Sequence, residues 1–303
     1  MDAIKKIKDP KIRLIAVVIA VIVAAITIFS KSDLLADEPK NSPDSIPENE
    51  LIMTSYFIDV GQGDCSLFVS GDETMLIDSG EYEYGDDVIS FLREKSIDEI
   101  DYLVVTHAHT DHMGAMKGII NSIDVENIIL SEVSDSAMSK RQYGEFLEAV
   151  DNSGAEVIIA EPDYTFSFGN AECTILAPFE VSQDENNNSV VIKIMAGKTS
   201  FLMTGDIEKS VEKQILINYP DLEATILKIA HHGSNTSSHD DFINSINAKV
   251  GIISVGKSNS YDHPSAEVIE SLRNSGMDLY RTDLNGTVTI ECAEDRYKIF
   301  TEK

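Results

Sequence analysis

Leu103 to Met116 read L-V-V-T-H-A-H-T-D-H-M-G-A-M, and this stretch decides the fold. The apolar, β-branched residues at its start predict a buried strand. Within six positions after the strand come His107, His109, Asp111 and His112. Chemically active side chains are concentrated in loops that a rigid scaffold holds in place. The stretch therefore predicts a functional loop at the end of a buried strand; the alternative is a surface loop that is rich in histidine by chance.

The spacing of these four residues is typical of a metal site. In an extended backbone, residues i and i+2 point to the same side, so His107 and His109 can face one ion. The chain then turns, and Asp111 and His112 can face a second ion beside the first. Imidazole nitrogen and carboxylate oxygen suit Zn²⁺, Mn²⁺ or Fe²⁺. The loop is therefore predicted to hold one or two divalent ions, Zn²⁺ or Mn²⁺.

Four further stretches occur in order along the chain. They are F-I-D-V-G-Q-G-D at 57–64, L-M-T-G-D at 202–206, K-I-A-H-H-G-S at 228–234 and Y-D-H-P-S at 261–265. With H-x-H-x-D-H at 107–112, they resemble the metallo-β-lactamase fold superfamily, and within it the hydrolase domain of the DNA-uptake channel protein ComEC and its free-standing relatives. The resemblance begins at about Leu51 and continues to the C-terminus. It implies an α/β fold, a four-layer αββα sandwich with the metal site where strand ends converge.

The resemblance also implies the remaining metal ligands. Asp206 follows a predicted strand and would bridge two ions with its two oxygens; the alternative is an N-cap for a helix over 207–217. One of His231 and His232 would complete the second metal site. We expect His231 to be the ligand, because it is nearer the strand end, where its position is better fixed, and His232 to face the substrate.

The chain departs from the superfamily pattern at one ligand. Most members supply a third histidine to the first metal, but no histidine lies between His112 and His231. Asn188 and Ser189 stand where that ligand is expected. An amide oxygen is a hard, weak ligand, so Asn188 is a candidate for weak metal binding. The first site is therefore expected to be weak, suited to Mn²⁺, or empty, which argues against a β-lactamase.

Three aspartates are candidates for supporting the metal-bound histidines. Asp59 and Asp64 flank the Gly-Gln-Gly turn, and Asp78 lies at the end of a predicted strand. Aspartate favours turns, but it also hydrogen-bonds and orients metal-bound imidazoles. Each of the three therefore has either a turn role or a supporting role.

Three residues are the candidates for catalysis. Asp111 would orient a hydroxide held by the ions, and His232 or His263 would protonate the leaving group. His263 lies just before a predicted helix with Pro264 at its first position, where a phosphate would be well placed. The alternative for His263 is a turn and capping role.

The N-terminal 50 residues differ from the rest. Residues 1–13 form a basic tail, and 14–30 are an uncharged apolar run close to the minimum that spans a bilayer. Cations before the run predict a cytoplasmic tail and an external catalytic part. We favour a single-pass membrane anchor; a cleaved signal peptide, which would give a secreted protein, is the alternative. Residues 31–50 predict an acidic, proline-containing linker, and 51–303 the hydrolase domain.

The composition is that of a globular protein with an acidic surface. Apolar residues make up 43% of the 303, and charged residues 25%. The three cysteines are an odd number, which argues against a disulfide framework. With 52 Asp and Glu against 24 Lys and Arg, the chain repels polyanions and is expected to bind nucleic acid poorly without bound cations.

Together these features predict an extracytoplasmic, metal-dependent phosphodiesterase that acts on a nucleic-acid, cell-wall or lipid phosphodiester. Relatives in the resembled subgroup include phosphorylcholine esterases of cell-wall teichoic acid, a polymer that suits the acidic body better than DNA does. Hydrolysis of a carboxylic ester, thioester or lactone is one alternative, because the same ions polarise carbonyls. A non-catalytic, membrane-tethered binding module is another. One span cannot form a DNA channel, so an uptake role would need a separate channel protein.

Overall fold

The computed structural model describes residues 45–303. Their strands are β1 (Met53–Phe57), β2 (Ser66–Ser70), β3 (Glu73–Ile77), β4 (Glu99–Val105), β5 (Asp124–Leu130), β6 (Glu156–Ile159), β7 (Thr165–Phe168), β8 (Ala171–Ala177), β9 (Val191–Ala196), β10 (Thr199–Met203), β11 (Ile226–Lys228), β12 (Val250–Ile253), β13 (Asp278–Arg281), β14 (Val288–Cys292) and β15 (Tyr297–Thr301). Their helices are α1 (Gly85–Glu94), α2 (Thr110–Met113), α3 (Met116–Ile120), α4 (Asp135–Met138), α5 (Arg141–Ser153), α6 (Lys209–Asn218), α7 (Asp240–Ile246), α8 (Ala266–Asn274) and α9 (Thr282–Asn285).

The strands form two sheets. The first has the order β15-β14-β1-β2-β3-β4-β5-β6, and the second β13-β12-β11-β10-β9-β8-β7. In each sheet one part is parallel, namely β3 to β6 in the first and β10 to β13 in the second. The carboxyl ends of parallel strands meet at one sheet edge, which is where α/β proteins build their sites.

The two sheets pack face to face through an apolar core. Side chains of β1, β2 and β3 meet side chains of β9, β10 and β12 there. Phe68 of the first sheet and Phe201 of the second contact edge to face, with ring centroids 5.6 Å apart and planes at 90°. Such an arrangement of aromatic rings is a favoured one and holds the two sheets in register.

Helices cover the outer face of each sheet. On the first sheet, α1 buries Val88, Ile89 and Leu92, whose spacing is that of one helical face, and α3 and α5 pack beside it. On the second sheet, α6, α7 and α8 do the same. The layers are therefore helices, sheet, sheet, helices, which confirms the predicted αββα sandwich.

The N-terminal boundary of the domain differs from the prediction. Ile46 is buried, and its N–H donates to the Glu291 carboxylate, while Glu50 pairs with Arg296. The last residues of the expected linker therefore pack onto the domain. The predicted tail at 1–13, the apolar run at 14–30 and the rest of the linker lie outside the described residues. Within 45–303, no helix combines the length and apolarity needed to cross a bilayer.

Candidate metal centre

The loop after β4 carries the predicted metal motif. His107 and His109 face each other, with 3.1 Å between His107 Nε2 and His109 Nδ1. Two nitrogens that each lie about 2.0–2.1 Å from one ion are about 3.3 Å apart in a tetrahedral site. The pair therefore has the spacing that one shared ion requires, as the extended backbone before α2 predicts.

A second group of donors is more complete. One ligand atom from each of Asp111, His112, Asp206 and His232 lies within 4.8 Å of the other three. Asp206 Oδ2 is 3.2 Å from His112 Nε2 and 3.5 Å from His232 Nε2, and His232 Nε2 is 3.3 Å from Asp111 Oδ2. Three of the four side chains are buried, and Asp111 remains partly open.

The donor atoms of this group fit a divalent ion. His112 Nε2, His232 Nε2 and Asp206 Oδ1 are all buried and have no hydrogen-bond partner. Buried polar atoms are otherwise nearly always satisfied, so three unpaired atoms in one cluster indicate a missing partner. Two imidazole nitrogens with two carboxylates are ligands that Zn²⁺ and Mn²⁺ accept. Among the described residues, the four-donor group is thus the better formed site, and His107 with His109 the less complete one.

The sheet behind the cluster fixes the orientation of His112. Asp78 follows β3, and its Oδ2 lies 2.8 Å from His112 Nδ1. The same carboxylate accepts the Thr106 N–H at 2.9 Å and the Thr106 hydroxyl at 2.7 Å. Because Asp78 takes the Nδ1 hydrogen, the lone pair of His112 is on Nε2 and points into the cluster. The supporting role is therefore the one that the geometry favours for Asp78.

A buried ion pair supports His232 in a similar way. His232 Nδ1 lies 2.9 Å from the Ser254 carbonyl oxygen and 3.3 Å from Asp64 Oδ1. Asp64 Oδ2 in turn contacts Lys228 Nζ at 2.8 Å, and both side chains are buried. The Nδ1 hydrogen is directed at these oxygens, so His232 also presents Nε2 to the cluster.

The buried carboxylates of the four-donor group are stabilised by positive charge beside them. Burial alone would raise the pKa of Asp206, but His112 and His232 outweigh burial and hold it well below its usual range. For His232, burial acts in the other direction and lowers the pKa. The neighbouring carboxylates, Asp206 foremost, outweigh burial and raise the pKa of His232 to about 10. Burial and the neighbouring His112 keep the pKa of His107 well below its usual range, so its ring is neutral and free to coordinate. Protons or a divalent ion can satisfy these carboxylates.

The structure brings His232 into the cluster, although we expected His231. The backbone adopts left-handed conformations at both residues, with φ of 51° and 52°, before Gly233 at 79°. A Cβ on Gly233 would lie 2.5 Å from Pro264 Cβ, so the chain passes tightly beneath the loop that follows β12. This turn breaks the alternation of a strand and directs His232 inward. His231 is left facing the cavity, its Nε2 3.8 Å from Asp206 Oδ2.

The same turn changes the catalytic candidates. His232 is buried with Nε2 directed at carboxylates, so it is not placed to protonate a leaving group. His231 and His263 instead line the cavity over the cluster, with their ring centroids 5.6 Å apart. Burial and the two neighbouring histidines lower the pKa of His263. Asp111 lines the same cavity, as its predicted role requires.

Asn188 is not brought to the cluster. Its Oδ1 accepts the Ser182 N–H at 2.7 Å, and its Nδ2 donates to the Ser182 carbonyl at 3.0 Å. The amide therefore closes the loop before β9. The next residue, Ser189, reaches the site instead: its Oγ is 3.3 Å from His107 Nδ1 and accepts the Asp206 N–H at 3.0 Å.

For Asp59 and for Asp206, the structure agrees with one of the two predicted roles and not with the other. Asp59 accepts the Gly61 N–H and pairs with Lys303, so its role is in the turn and at the surface. Asp206 does not cap a helix, because α6 begins only at Lys209, after the cap residue Glu208. The predicted start of the last long helix is also corrected. Ser265 caps α8 with its hydroxyl, so Pro264 lies before the cap and not at the first position of the helix.

Several residues of the site were missed in the sequence. The sequence marked Ser189 only as the neighbour of Asn188 at the expected ligand position, and the Ser254 carbonyl carries no motif that singles it out. Lys228 does carry a signal, since a lysine inside the run A-T-I-L-K-I-A at 224–230 must be buried with the strand. Charges almost never occur at such positions unless they are paired, so the residue predicts a buried acid nearby.

The cavity over the cluster measures about 260 Å³. It is lined by polar side chains and one tyrosine, which are Gln62, His109, Thr110, Asp111, Lys140, Asn186, Asp206, His231, Tyr261 and His263. Asn259 accepts the N–H groups of Tyr261 and His263, so the loop that presents these two rings is held in one conformation.

The amino-acid sequence of the chain is similar to those of several known proteins. Residues 58–257 match the metallo-beta-lactamase superfamily. ComE operon protein 3 of Bacillus subtilis (strain 168) is 30% identical over an alignment of 251 residues that covers 76% of this chain and 32% of that protein. Competence protein ComA of Neisseria gonorrhoeae is 28% identical over 258 residues, which are 84% of this chain and 34% of that protein. The chain thus spans about a third of the length of the curated relatives that it matches.

A solved structure shares the same fold. The metallo-beta-lactamase fold protein YhfI from Bacillus subtilis superposes with a TM-score of 0.51 at 12% identity, covering 82% of this chain and 99% of that one. At so low an identity the likeness concerns the fold alone, so the reaction has to be argued from the site.

Proposed function

The chain belongs to the metallo-β-lactamase superfamily and is a metal-dependent hydrolase of that group, and on this basis we propose that it is a phosphodiesterase. The observation that carries the proposal is the lining of the cavity above the four-donor cluster. No aliphatic side chain is among the lining residues in the part of the chain that the structure describes. Apolar walls would favour a carboxylic ester, thioester or lactone, whereas hydrogen-bond donors and a cation favour a phosphate.

The donors for a phosphate surround the cluster. Lys140 supplies an ammonium group, Asn186 an amide and His263 an imidazole, all at the wall of the cavity. Groups of this kind stabilise the charge that develops on non-bridging oxygens during in-line displacement at phosphorus. We assign them to binding and orientation of the phosphoryl group.

The metal would be held by Asp111, His112, Asp206 and His232, with His107 and His109 as the partial second site. A divalent ion held there would lower the pKa of a coordinated water and polarise the ester. Asp111 is the most exposed of the four donors, with 22% of its side chain accessible, and it can orient the attacking water from the cavity side. His263 lines the same cavity and, in its protonated form, would give a proton to the leaving oxygen.

The location is part of the same proposal and rests on the sequence. The basic residues before the apolar run at 14–30 favour an external catalytic domain on a single-pass anchor, or a secreted one after cleavage. The natural substrate would then be an external phosphodiester, such as a cell-wall polymer or DNA.

The test is turnover of bis-p-nitrophenyl phosphate by the 303-residue chain with Mn²⁺, with Zn²⁺ or with a chelator. His232→Ala should abolish metal-dependent turnover. His239→Asn is the matched control, because His239 lies outside the cluster and asparagine keeps its capping role at α7. Turnover of p-nitrophenyl acetate but not of the diester would instead favour a carboxylic esterase. Metal-independent turnover, or none of either substrate, would refute the enzyme that we propose.

A further inference from the structure

The ring of His231 lies at the wall of the metal-centre cavity, and its contacts on the cavity side are long. The side chain is 20% exposed, and its Nε2 is 3.8 Å from Asp206 Oδ2 and 3.4 Å from Asn186 Nδ2. The χ2 torsion of histidine is broad and roughly two-fold, so a weakly held ring can turn over and exchange a nitrogen for a carbon. A fixed orientation of His231 therefore requires a closer partner on the other side of the ring.

Thr236 supplies that partner. Its Oγ1 lies 3.1 Å from His231 Nδ1, which is hydrogen-bond distance. Glu208 Oε1 approaches the same nitrogen at 3.9 Å. A hydroxyl group and a carboxylate thus both face Nδ1, while Nε2 is left facing the cavity. The hydrogen bond made by one nitrogen of an imidazole determines how the other nitrogen is presented.

The loop at 234–239, which carries Thr236, is fastened to the start of α6. The Lys209 N–H donates to the Thr236 carbonyl oxygen at 3.1 Å, and Lys209 Nζ donates to the Asn235 carbonyl oxygen at 2.7 Å. The buried Glu212 carboxylate accepts two further N–H groups of the same loop. The Thr236 hydroxyl group is therefore held by a rigid element, as the support of a precise site requires.

We propose that Thr236 is a positioning residue of the metal centre, and that its hydroxyl group holds the His231 ring with Nε2 facing the phosphodiester in the cavity. The inference rests on the proposed function. With the ring so held, Nε2 is the atom that the phosphodiester or its attacking water meets. A ring turned over would present a carbon instead, which cannot make the same hydrogen bond. Thr236 acts only through His231 and does not itself touch the substrate.

A purely structural role for Thr236 is the alternative, because this residue also closes its own loop. Its N–H donates to Ser234 Oγ at 3.3 Å, and its Oγ1 lies 3.1 Å from the same oxygen. Valine has nearly the shape of threonine and keeps the backbone bonds of the loop, but it lacks the hydroxyl group. Serine keeps the hydroxyl group and lacks only the methyl group. The two substitutions therefore separate the hydroxyl group from the packing of the side chain.

The first measurement is turnover of bis-p-nitrophenyl phosphate by the metal-loaded 303-residue chain. Thr236→Val should lower kcat about three- to ten-fold, the range expected for the loss of one neutral hydrogen bond. KM and the amount of bound metal should not change, since Lys140 and the four donors remain in place. Thr236→Ser should restore kcat. Thr165→Val is the matched control, because Thr165 is an exposed threonine of β7 outside this loop, and it should leave kcat unchanged.

A double-mutant cycle tests whether Thr236 acts through His231. Added to His231→Ala, the Thr236→Val substitution should change kcat by less than about two-fold, because the ring that it positions is already gone. The same loss of kcat in both backgrounds would overturn the inference and leave a structural role. An unchanged kcat in Thr236→Val alone, or a loss that serine does not restore, would overturn it too.

Nitrogen NMR of the histidine rings in the Zn²⁺-loaded protein tests the positioning without any turnover. The signals of His231 are those that disappear in His231→Ala. They should shift in Thr236→Val and stay in place in Thr236→Ser and in Thr165→Val. If the wild type cleaves no diester, the proposed function fails, whereas unchanged His231 signals in Thr236→Val would refute the positioning role by themselves.

Discussion

Replacement of Lys228 by methionine should strongly destabilise the domain, because it breaks a buried ion pair. Lys228 Nζ lies 2.8 Å from Asp64 Oδ2, and the two side chains are 1% and 6% exposed. At that distance and an effective dielectric constant of about 20, the Coulomb attraction is about 6 kcal/mol, an upper bound on the net contribution of the pair. Removing Lys228 leaves the buried Asp64 without its ammonium partner and only partly compensated by His232 Nδ1 at 3.3 Å, so we expect a loss of about 3–5 kcal/mol.

The double variant Lys228→Met, Asp64→Asn separates this mechanism from simple loss of packing. Asparagine has nearly the shape of aspartate but no charge, so the penalty of an unpaired buried carboxylate disappears. The double variant should therefore recover most of the stability that the single variant loses. Lys213→Met is the control for the side-chain change itself, and it should lie within about 0.5 kcal/mol of wild type because Lys213 is exposed.

Urea unfolding in the presence of chelator measures all four proteins without a contribution from bound metal. For a domain of this size, a loss of 3–5 kcal/mol corresponds to a fall in Tm of roughly 10 °C. A Lys228→Met protein within about 1 kcal/mol of wild type would refute the argument, since the pair would then contribute little. A double variant no more stable than the single one would show that packing of the lysine stem, not the charge on Asp64, explains the loss.

Three further predictions follow from the site and its surroundings. Asp78→Asn should lower metal affinity by about 10–100-fold, because it weakens the hydrogen bond that orients His112. Competition with a chromogenic chelator measures the affinity. An unchanged affinity would contradict the supporting role of Asp78. His232→Ala should abolish stoichiometric metal binding after dialysis, whereas His231→Ala should keep the metal and lower kcat; the reverse pattern would restore the assignment expected from the sequence. Burial raises the pKa of the Glu212 carboxyl group to about 7, against 4.5 in the unfolded chain. The folded state therefore binds the carboxyl proton more tightly than the unfolded state does. The folding stability that this proton contributes is lost as the pH rises from about 4.5 through 7. The stability advantage of wild type over Glu212→Gln should therefore shrink by about 2–3 kcal/mol between pH 5 and 8, measured by urea unfolding at each pH, and a constant difference would argue against the raised pKa.

Most of the fold was accessible from local patterns. The apolar run before His107 predicts a buried strand, and the structure has β4 over Glu99–Val105. Helix starts were less accurate, because α6 begins two residues after the predicted position and α8 begins after Pro264. Single capping residues decide such boundaries, and several neighbouring residues in each case are suitable caps.

The site was predictable to the extent that its residues follow strands. His107 follows β4 and Asp78 follows β3, two parallel neighbours in the first sheet, whereas Asp206 follows β10 of the second sheet, so the ends of strands from both sheets meet at the site. Asn188 shows the limit of such reasoning. Its position in the order of motifs indicated a ligand, but its amide is engaged by the Ser182 backbone, a contact that no spacing rule predicts.

The sequence by itself determined the chemistry of the donors and their positions after strands, because residue type and periodicity are local properties of the chain, and its motifs implied the αββα layers through their resemblance to a known superfamily. Only the tertiary structure decided that His232 rather than His231 enters the four-donor cluster, because two left-handed residues turn the backbone beneath the loop at Pro264. The tertiary structure alone also brought Lys117 of α3 and Lys140, the residue before α5, to the wall of one cavity. The direction of a side chain and the meeting of distant segments depend on packing over the whole domain, and this information is not contained in any single stretch of the sequence.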